Sequence, residues 1–410
     1  MKTTMMTRGS RRADSPLALL AGLALAATGG ALGSGCGVEK TPSSMTTDSI
    51  ERTPGSIYTV AGTGIAGDGA DGQDALKTRL YLPQDVTVGP DGRLFVVDWN
   101  NHRIRAVNAD GTMTIVAGIG ELGPNVDDPS TDRLNHPTNL TFDAAGRMVI
   151  AAWHNSRVKT LDLSLPEPGN IVNICGTGKR GFGGNGGPAS AATLDLPVAV
   201  AFDAAQNLFI ADQANQMIRR VDGATGIIDT IAGQGHCADA QNPNPCVPFM
   251  DEVPAKQASF HLPVGQAATP GGRIALDGAG KIYIADTENF RVRVIDEAGI
   301  IHTFAGTGAN GFQGDGGPAA AAQLSRVTDV AVAPDGSVFI ADTENSCIRL
   351  VTPAGIMTTF AGVCGSPGFA GDGGPAGAAL LDRPSGVEIA PSGDIYIADT
   401  HNQRVRVVHR

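Results

Sequence analysis

The chain has 410 residues and a net charge of −11, from 30 basic and 41 acidic side chains, a balance that argues against a protein gripping a phosphate backbone. Gly fills 55 positions and Pro 25, too many breakers for a mostly helical fold. The glycines have no triplet period and 42% of residues are apolar, so collagen and wholesale disorder are both excluded; turn-rich β structure remains.

Residues 1–35 read as a targeting segment. Arg8, Arg11 and Arg12 form a basic start, and Leu17 to Ala27 is an apolar run shorter than the ~20 residues that span a bilayer. Small residues then lead to Cys36. The pattern resembles a bacterial lipoprotein signal, which implies export to the periplasm or cell surface with a lipid on Cys36. It departs from that signal at Leu32, four residues before the cysteine instead of three, and at Asp14. An ordinary cleaved signal with an incidental cysteine is the bland alternative. Residues 36–54, rich in Thr, Ser and Pro, read as a flexible tether.

From residue 55 onward one unit recurs six times. The string Leu94-Phe-Val-Val-Asp-Trp-Asn-Asn-His-Arg-Ile-Arg105 returns at Leu208–Arg219, Ile282–Arg293, Val338–Arg349 and Ile395–Arg406, with a degraded copy over Met148–Lys159. Its aspartate falls at Asp98, Asp212, Asp286, Asp342 and Asp399, and Ala152 replaces it in the second copy. The asparagine three residues later is present in all six, at Asn101, Asn155, Asn215, Asn289, Asn345 and Asn402. Each unit holds four short β signals. Val330-Ala-Val is a first strand, and Phe-Ile-Ala-Asp is a second strand apolar on both faces. Ile-Arg-Val is the third, and Thr303-Phe-Ala-Gly306 a fourth. The Asp and Asn mark a tight turn, where their side chains are expected to bond backbone N–H groups two residues on.

Four strands repeated radially form a β-propeller. The chain's first β signal, Ile57 to Gly62, matches a fourth strand, whereas the last copy stops after its third at Val407-Val408. The N-terminal strand is therefore expected to complete the final blade and remove both open edges. An all-β domain over 55–410 follows. The copies resemble the NHL repeat, named for Asn-His-Leu at the turn and matched most nearly by Asn101-His102-Arg103. That resemblance spans 56–410 and implies six blades.

Between blades runs a Gly-rich segment, seen at Gly181 to Ala189, Gly311 to Ala319 and Gly368 to Ala376, with a looser copy at Gly67 to Ala75. It lacks the Gly-Lys-Ser/Thr of a phosphate loop and the alternating acids of a calcium loop. Pro188, Pro318 and Pro375 instead suggest first turns of short helices, with Ala322 and Leu324 packing onto the blade. Of the cysteines, Cys237 and Cys246 bracket a Pro-rich insertion and could close a loop. Cys347 begins a third strand and Cys364 follows a fourth. Pairing Val351 with Ile356 puts Cys347 opposite Phe360, four residues short of Cys364, so the spacing leaves a disulfide there open. Cys175 is expected to be a buried free thiol.

Ligands of propellers usually meet the first-strand ends around the central channel. Where Ala199 and Gly386 sit at the start of that strand, other copies offer Asp85, Asn139, Arg273 and Asp329, with Glu388 two positions further on in the sixth. Buried carboxylates are costly unless they are paired or hold a cation. Two expectations stand side by side: a polar or metal-binding channel mouth, or wetted acids that Arg273 simply balances. The resemblance to six-bladed lactonases and lyases implies a divalent cation, calcium for preference, on Asp85, Asn139, Asp329 and Glu388. The histidine version of such a site fits less well, because His136 and His261 flank prolines at different offsets and His102, His154 and His401 sit on turns. No compact catalytic motif is present. RNA binding is opposed by export and charge, and Arg105, Arg219, Arg293, Arg349 and Arg406 recur at one offset, which marks them as architectural. The expected role is a monomeric scaffold that binds a protein, peptide or small molecule, no nucleic acid, and the membrane only through its lipid. A metal-dependent channel enzyme is the alternative.

Overall fold

The computed structural model describes residues 53–122, 133–164, 171–235, 249–265 and 268–410. They form six antiparallel sheets of four main strands each, and the six first strands contact one another in a closed cycle. Blade 1 runs Pro83–Val88, Leu94–Asp98, Arg103–Val107 and Thr112–Ala117, and the others follow suit. Five of the six second strands are buried at every position, Leu208–Asp212 and Val338–Asp342 among them, as apolar residues on both faces require. Apolar clusters fill the seams between successive blades, one of them packing Phe95 and Ile104 of blade 1 against Leu140 and Ile150 of blade 2.

Blade 6 is assembled from both ends of the domain. Ile57–Ala61 lies antiparallel to Arg404–Val408 and is its outer strand, as the strand count requires. Every pairing of third with fourth strand carries a bulge at the same place, such as between Ile348 and Arg349 in blade 5. The turn itself sets Val351 against Met357, and the bulge then moves Ile348 on to face Ala361; together they bring Cys347 within a Cα–Cα distance of 5.1 Å of Cys364 in a disulfide. Cys175 is free and buried. Cys36, Cys237 and Cys246 lie outside the described residues.

The recurrent Asp, Asn and Arg form one device in each of five blades, blade 2 being the exception. In blade 1, Arg105 Nε donates to Asp98 Oδ2 at 2.7 Å, and Asn101 Nδ2 donates to the same oxygen at 2.8 Å and to Gly67 O at 2.9 Å. The guanidinium also meets Asp68 of the Gly-rich segment. Arg349 repeats this with Asp342 and Asp315, and Arg406 with Asp399 and Asp372. Both partners of each inner pair are buried, so neither could lose the other cheaply. The Gly-rich segments are thus pinned to the blade edge and are structural.

The aspartate does not cap its own turn, as the sequence suggests. Its free oxygen accepts an N–H from the segment leading into the first strand, as Asp98 does from Tyr81 at 2.8 Å and Asp342 from Ser325 at 2.7 Å. The turn itself closes through a left-handed residue such as His102 or Gln216. In blade 2, where Ala152 lacks a carboxylate, Asn155 Oδ1 takes over and accepts from Asn135 N at 2.8 Å. Pro188, Pro318 and Pro375 cap 3-10 turns, one position earlier than expected, and Ala322 and Leu324 are fully buried.

Candidate functional site in the central channel

Strand register puts Asp85, Asn139, Ala199, Asp329 and Gly386 at one level, each facing the corresponding second-strand residue. Arg273 joins them from blade 4, whose first strand is shortened to Ile274–Leu276. The Arg273 side chain crosses the channel. Its guanidinium donates to Thr138 O at 2.6 Å, Gln84 O at 2.8 Å and Ser385 O at 2.9 Å, and pairs with Asp329 at 3.3 Å and Asp85 at 3.4 Å. One buried cation therefore ties blade 4 to blades 1, 2, 5 and 6. Gly386 makes room for it: a Cβ there would lie 2.7 Å from Gln84 O and 3.1 Å from Arg273 Nη1.

The other polar groups at this level are satisfied by their neighbours. Asn139 Nδ2 donates to Asp85 Oδ2 at 2.8 Å, while its Oδ1 accepts from Val200 N at 2.8 Å. Asp329 accepts from Val330 N and Val387 N, both at 2.9 Å. Burial pushes Asp85 upward and Asp329 to about 6, against the pull of Arg273. This donor set does not fit calcium or magnesium. A guanidinium stands between the two aspartates and the asparagine oxygen is engaged. Among the described residues no group of three or more His, Cys, Asp or Glu is arranged to hold a metal ion.

Glu388 stands two residues deeper, opposite Tyr396, and faces a cavity of about 270 Å³ whose wall includes Thr87, Thr141, Ala201, Ala275 and Ala331. The residue is half-buried, and its carboxyl accepts from the backbone N–H groups of Val88 and Ile389. Burial, with Asp85 and Asp329 nearby, lifts it to about 8. An unfolded glutamate ionises near 4.3, so the folded state is progressively penalised as pH rises from there to about 8. Glu388→Gln should therefore nearly match the wild type at pH 4.5 and exceed it at pH 8 by about 4 kcal/mol in urea unfolding. A variant no more stable than wild type at pH 8 would show that cavity water solvates the carboxylate.

A propeller of six NHL-type sheets is now in view. The sequence profile of the Teneurin NHL domain matches residues 54–270, and that of the NHL repeat matches 324–349 and 381–408. The chain belongs to the Teneurin NHL domain family. Teneurin-1 of Mus musculus is 27% identical over 400 residues, covering 88% of this chain, and Teneurin-4 of Homo sapiens is 28% identical over 361 residues, covering 81%. The chain spans only 14% and 12% of those proteins' own lengths. Among solved structures, a protein of unknown function from Bacteroides thetaiotaomicron superposes with a TM-score of 0.61 at 16% identity, covering 86% of this chain and 74% of that one. An auxiliary nutrient binding protein from Bacteroides ovatus gives 0.60 at 14% identity, covering 86% and 75%. At such identities the likeness is one of fold.

Proposed function

We propose that this chain is an exported propeller, lipid-anchored through Cys36, that binds a protein, peptide or small-molecule ligand and does not transform it. One observation carries the reading: the channel's polar ring is committed to its own cross-link through Arg273, beside a small polar cavity lined by Glu388, an acid that Arg273 does not pair. Binding is also what the Bacteroides ovatus fold neighbour is named for. The Cys347–Cys364 disulfide supports export, since such bonds persist in oxidising compartments. Cys36→Ser should move the exported protein from the membrane fraction to the soluble one; a wild type already soluble after export would overturn the anchor.

A second reading, a metal-dependent channel enzyme, is favoured by one feature: a Glu388 that stays protonated to about 8 could serve as a general acid. The two readings part in one experiment. Under the binding reading, EDTA leaves the melting temperature unchanged and no lactone is turned over. Under the enzyme reading, calcium raises the melting temperature by mass action, Glu388→Gln abolishes that rise, and turnover requires both the ion and Glu388.

A further inference from the structure

Both tryptophans of the chain and three of its eight histidines meet at the seam between blades 1 and 2, away from the channel ring. They come from three different repeat positions. His102 is the left-handed turn residue of blade 1, His136 precedes the first strand of blade 2, and His154 lies in the turn of blade 2. The same places elsewhere hold ion pairs or aliphatic groups: Arg326 pairs with Glu288 and Arg383 with Glu344, while Leu82 and Leu196 stand where His136 does.

The hydrogen bonds fix which ring nitrogens are free. His102 Nδ1 accepts from His136 N at 3.2 Å, as Gln216 Oε1 does from Leu262 N at 2.7 Å at the seam between blades 3 and 4. His102 therefore has no lone pair to offer at that atom. His136 Nε2 faces Asn100 Oδ1 at 3.2 Å and donates to it, which leaves His136 Nδ1 a bare lone pair. That atom meets Asn135 Oδ1 at 2.8 Å and His154 Nδ1 at 3.0 Å, and only the one ring hydrogen of His154, whose Nε2 has no partner among the described residues, is available between them. Three acceptor atoms are crowded together with at most one hydrogen to share. A cation would satisfy all three. Imidazole nitrogens lie about 2.0–2.1 Å from a bound transition-metal ion, which sets adjacent donors about 3 Å apart.

We propose that His136 Nδ1, His154 Nδ1 and Asn135 Oδ1 hold a divalent transition-metal ion at this seam, with water completing its shell. Two imidazoles and an amide oxygen suit copper(II), nickel(II) or zinc(II) better than calcium. Only two of the donors are histidines, so the site differs from the three-ligand groups that are lacking among the described residues. Burial keeps both imidazoles uncharged at neutral pH, and both remain partly open to solvent. The Asn100 contact to His136 Nε2 is the outer hydrogen bond that commonly orients a metal-bound imidazole.

The tryptophans supply the readout. Trp99 lies with its ring centroid 4.5 Å from His136, and Trp153 stacks on His154 at 4.2 Å, so all tryptophan emission reports on this seam. Titrating copper(II) sulfate into the full chain should quench that emission and saturate at one ion per chain, and excess zinc(II) should reverse it. Zinc(II) alone should raise the melting temperature. His136→Leu and His154→Ala copy residues that other blades carry, Leu196 and Ala214, and should fold while losing both responses. Asn135→Asp, the residue type at Asp195 and Asp382, should tighten copper binding, and His302→Ala should leave it unchanged. Absence of quenching and of the zinc shift in the wild type overturns the proposal, as does quenching that either histidine variant retains.

Discussion

Deleting residues 1–62 should cost the ring most of its stability, whereas deleting residues 1–52 should leave the thermal transition where it is. The longer deletion removes the outer strand of blade 6, whose Ile57 and Ala61 are fully buried and which pairs with Val405, Arg406, Val407 and Val408. Flanking bonds go with it: Gly55 N to His409 O at 2.7 Å and Ile57 N to Gly374 O at 3.0 Å. Burying one isoleucine is worth about 2 kcal/mol, and each ladder hydrogen bond about 1 kcal/mol net. The loss is then about 5 kcal/mol or more, comparable to the whole stability of an ordinary domain. It also turns Arg404–Val408 into an open edge, so the truncated chain should self-associate. Calorimetry and size-exclusion chromatography of the two truncations check this; equal midpoints would refute the clasp.

The clasp was legible because it needs only counting: six third strands, five following fourth strands, and one spare fourth strand at the start. Recurrence also exposed the Asp–Asn–Arg device, although not which atoms it fastens. Asp98 reaches back 17 residues to Tyr81 N, and a repeat pattern shows which positions matter without showing what they touch across the fold. The disulfide was obscured by two residues of register, one from a turn that sets Val351 against Met357 instead of Ile356 and one from a bulge. A bulge in the hairpin shortens the path from Cys347 to Cys364, and nothing in Cys347–Ala361 marks it; its recurrence in every blade became visible only in the ladder. The histidine seam was missed for a related reason. Comparing copies aligns equal offsets, whereas His102, His136 and His154 have unequal offsets and meet only because the turn of one blade abuts the approach to the next. In the channel the sequence placed the ring, but set a cation site and a balancing arginine side by side. What separates them is the reach of Arg273 to three backbone carbonyls on three other blades, and carbonyl positions follow from ring closure, not from side-chain identity.

That reach makes Arg273→Met the most damaging single substitution expected in the channel. Methionine fills a similar stem but leaves the carbonyls of Gln84, Thr138 and Ser385 without their donor and Asp85 and Asp329 without their counter-charge. Removing one partner of a buried ion pair costs about 3–5 kcal/mol. The pH dependence has a definite sign. Burial already holds both carboxyls above their ordinary value, Asp329 at about 6, and loss of the guanidinium can only raise them further. A carboxyl raised in the folded state destabilises it increasingly from its unfolded value near 3.9 up to the folded one. The variant should therefore lie furthest below wild type at pH 8 and recover as the solution is acidified through pH 6 to 5. Adding Asp329→Asn to Arg273→Met should restore part of the loss at pH 8 and flatten the recovery, because one of the stranded charges is gone. Urea unfolding at pH 8 and pH 5 of the wild type, the single variant and the double variant measures all three effects. If Arg273→Met unfolds with the wild type at pH 8, channel water hydrates the two aspartates well enough alone, and the arginine is ballast, not the bolt that holds four other blades to the fourth.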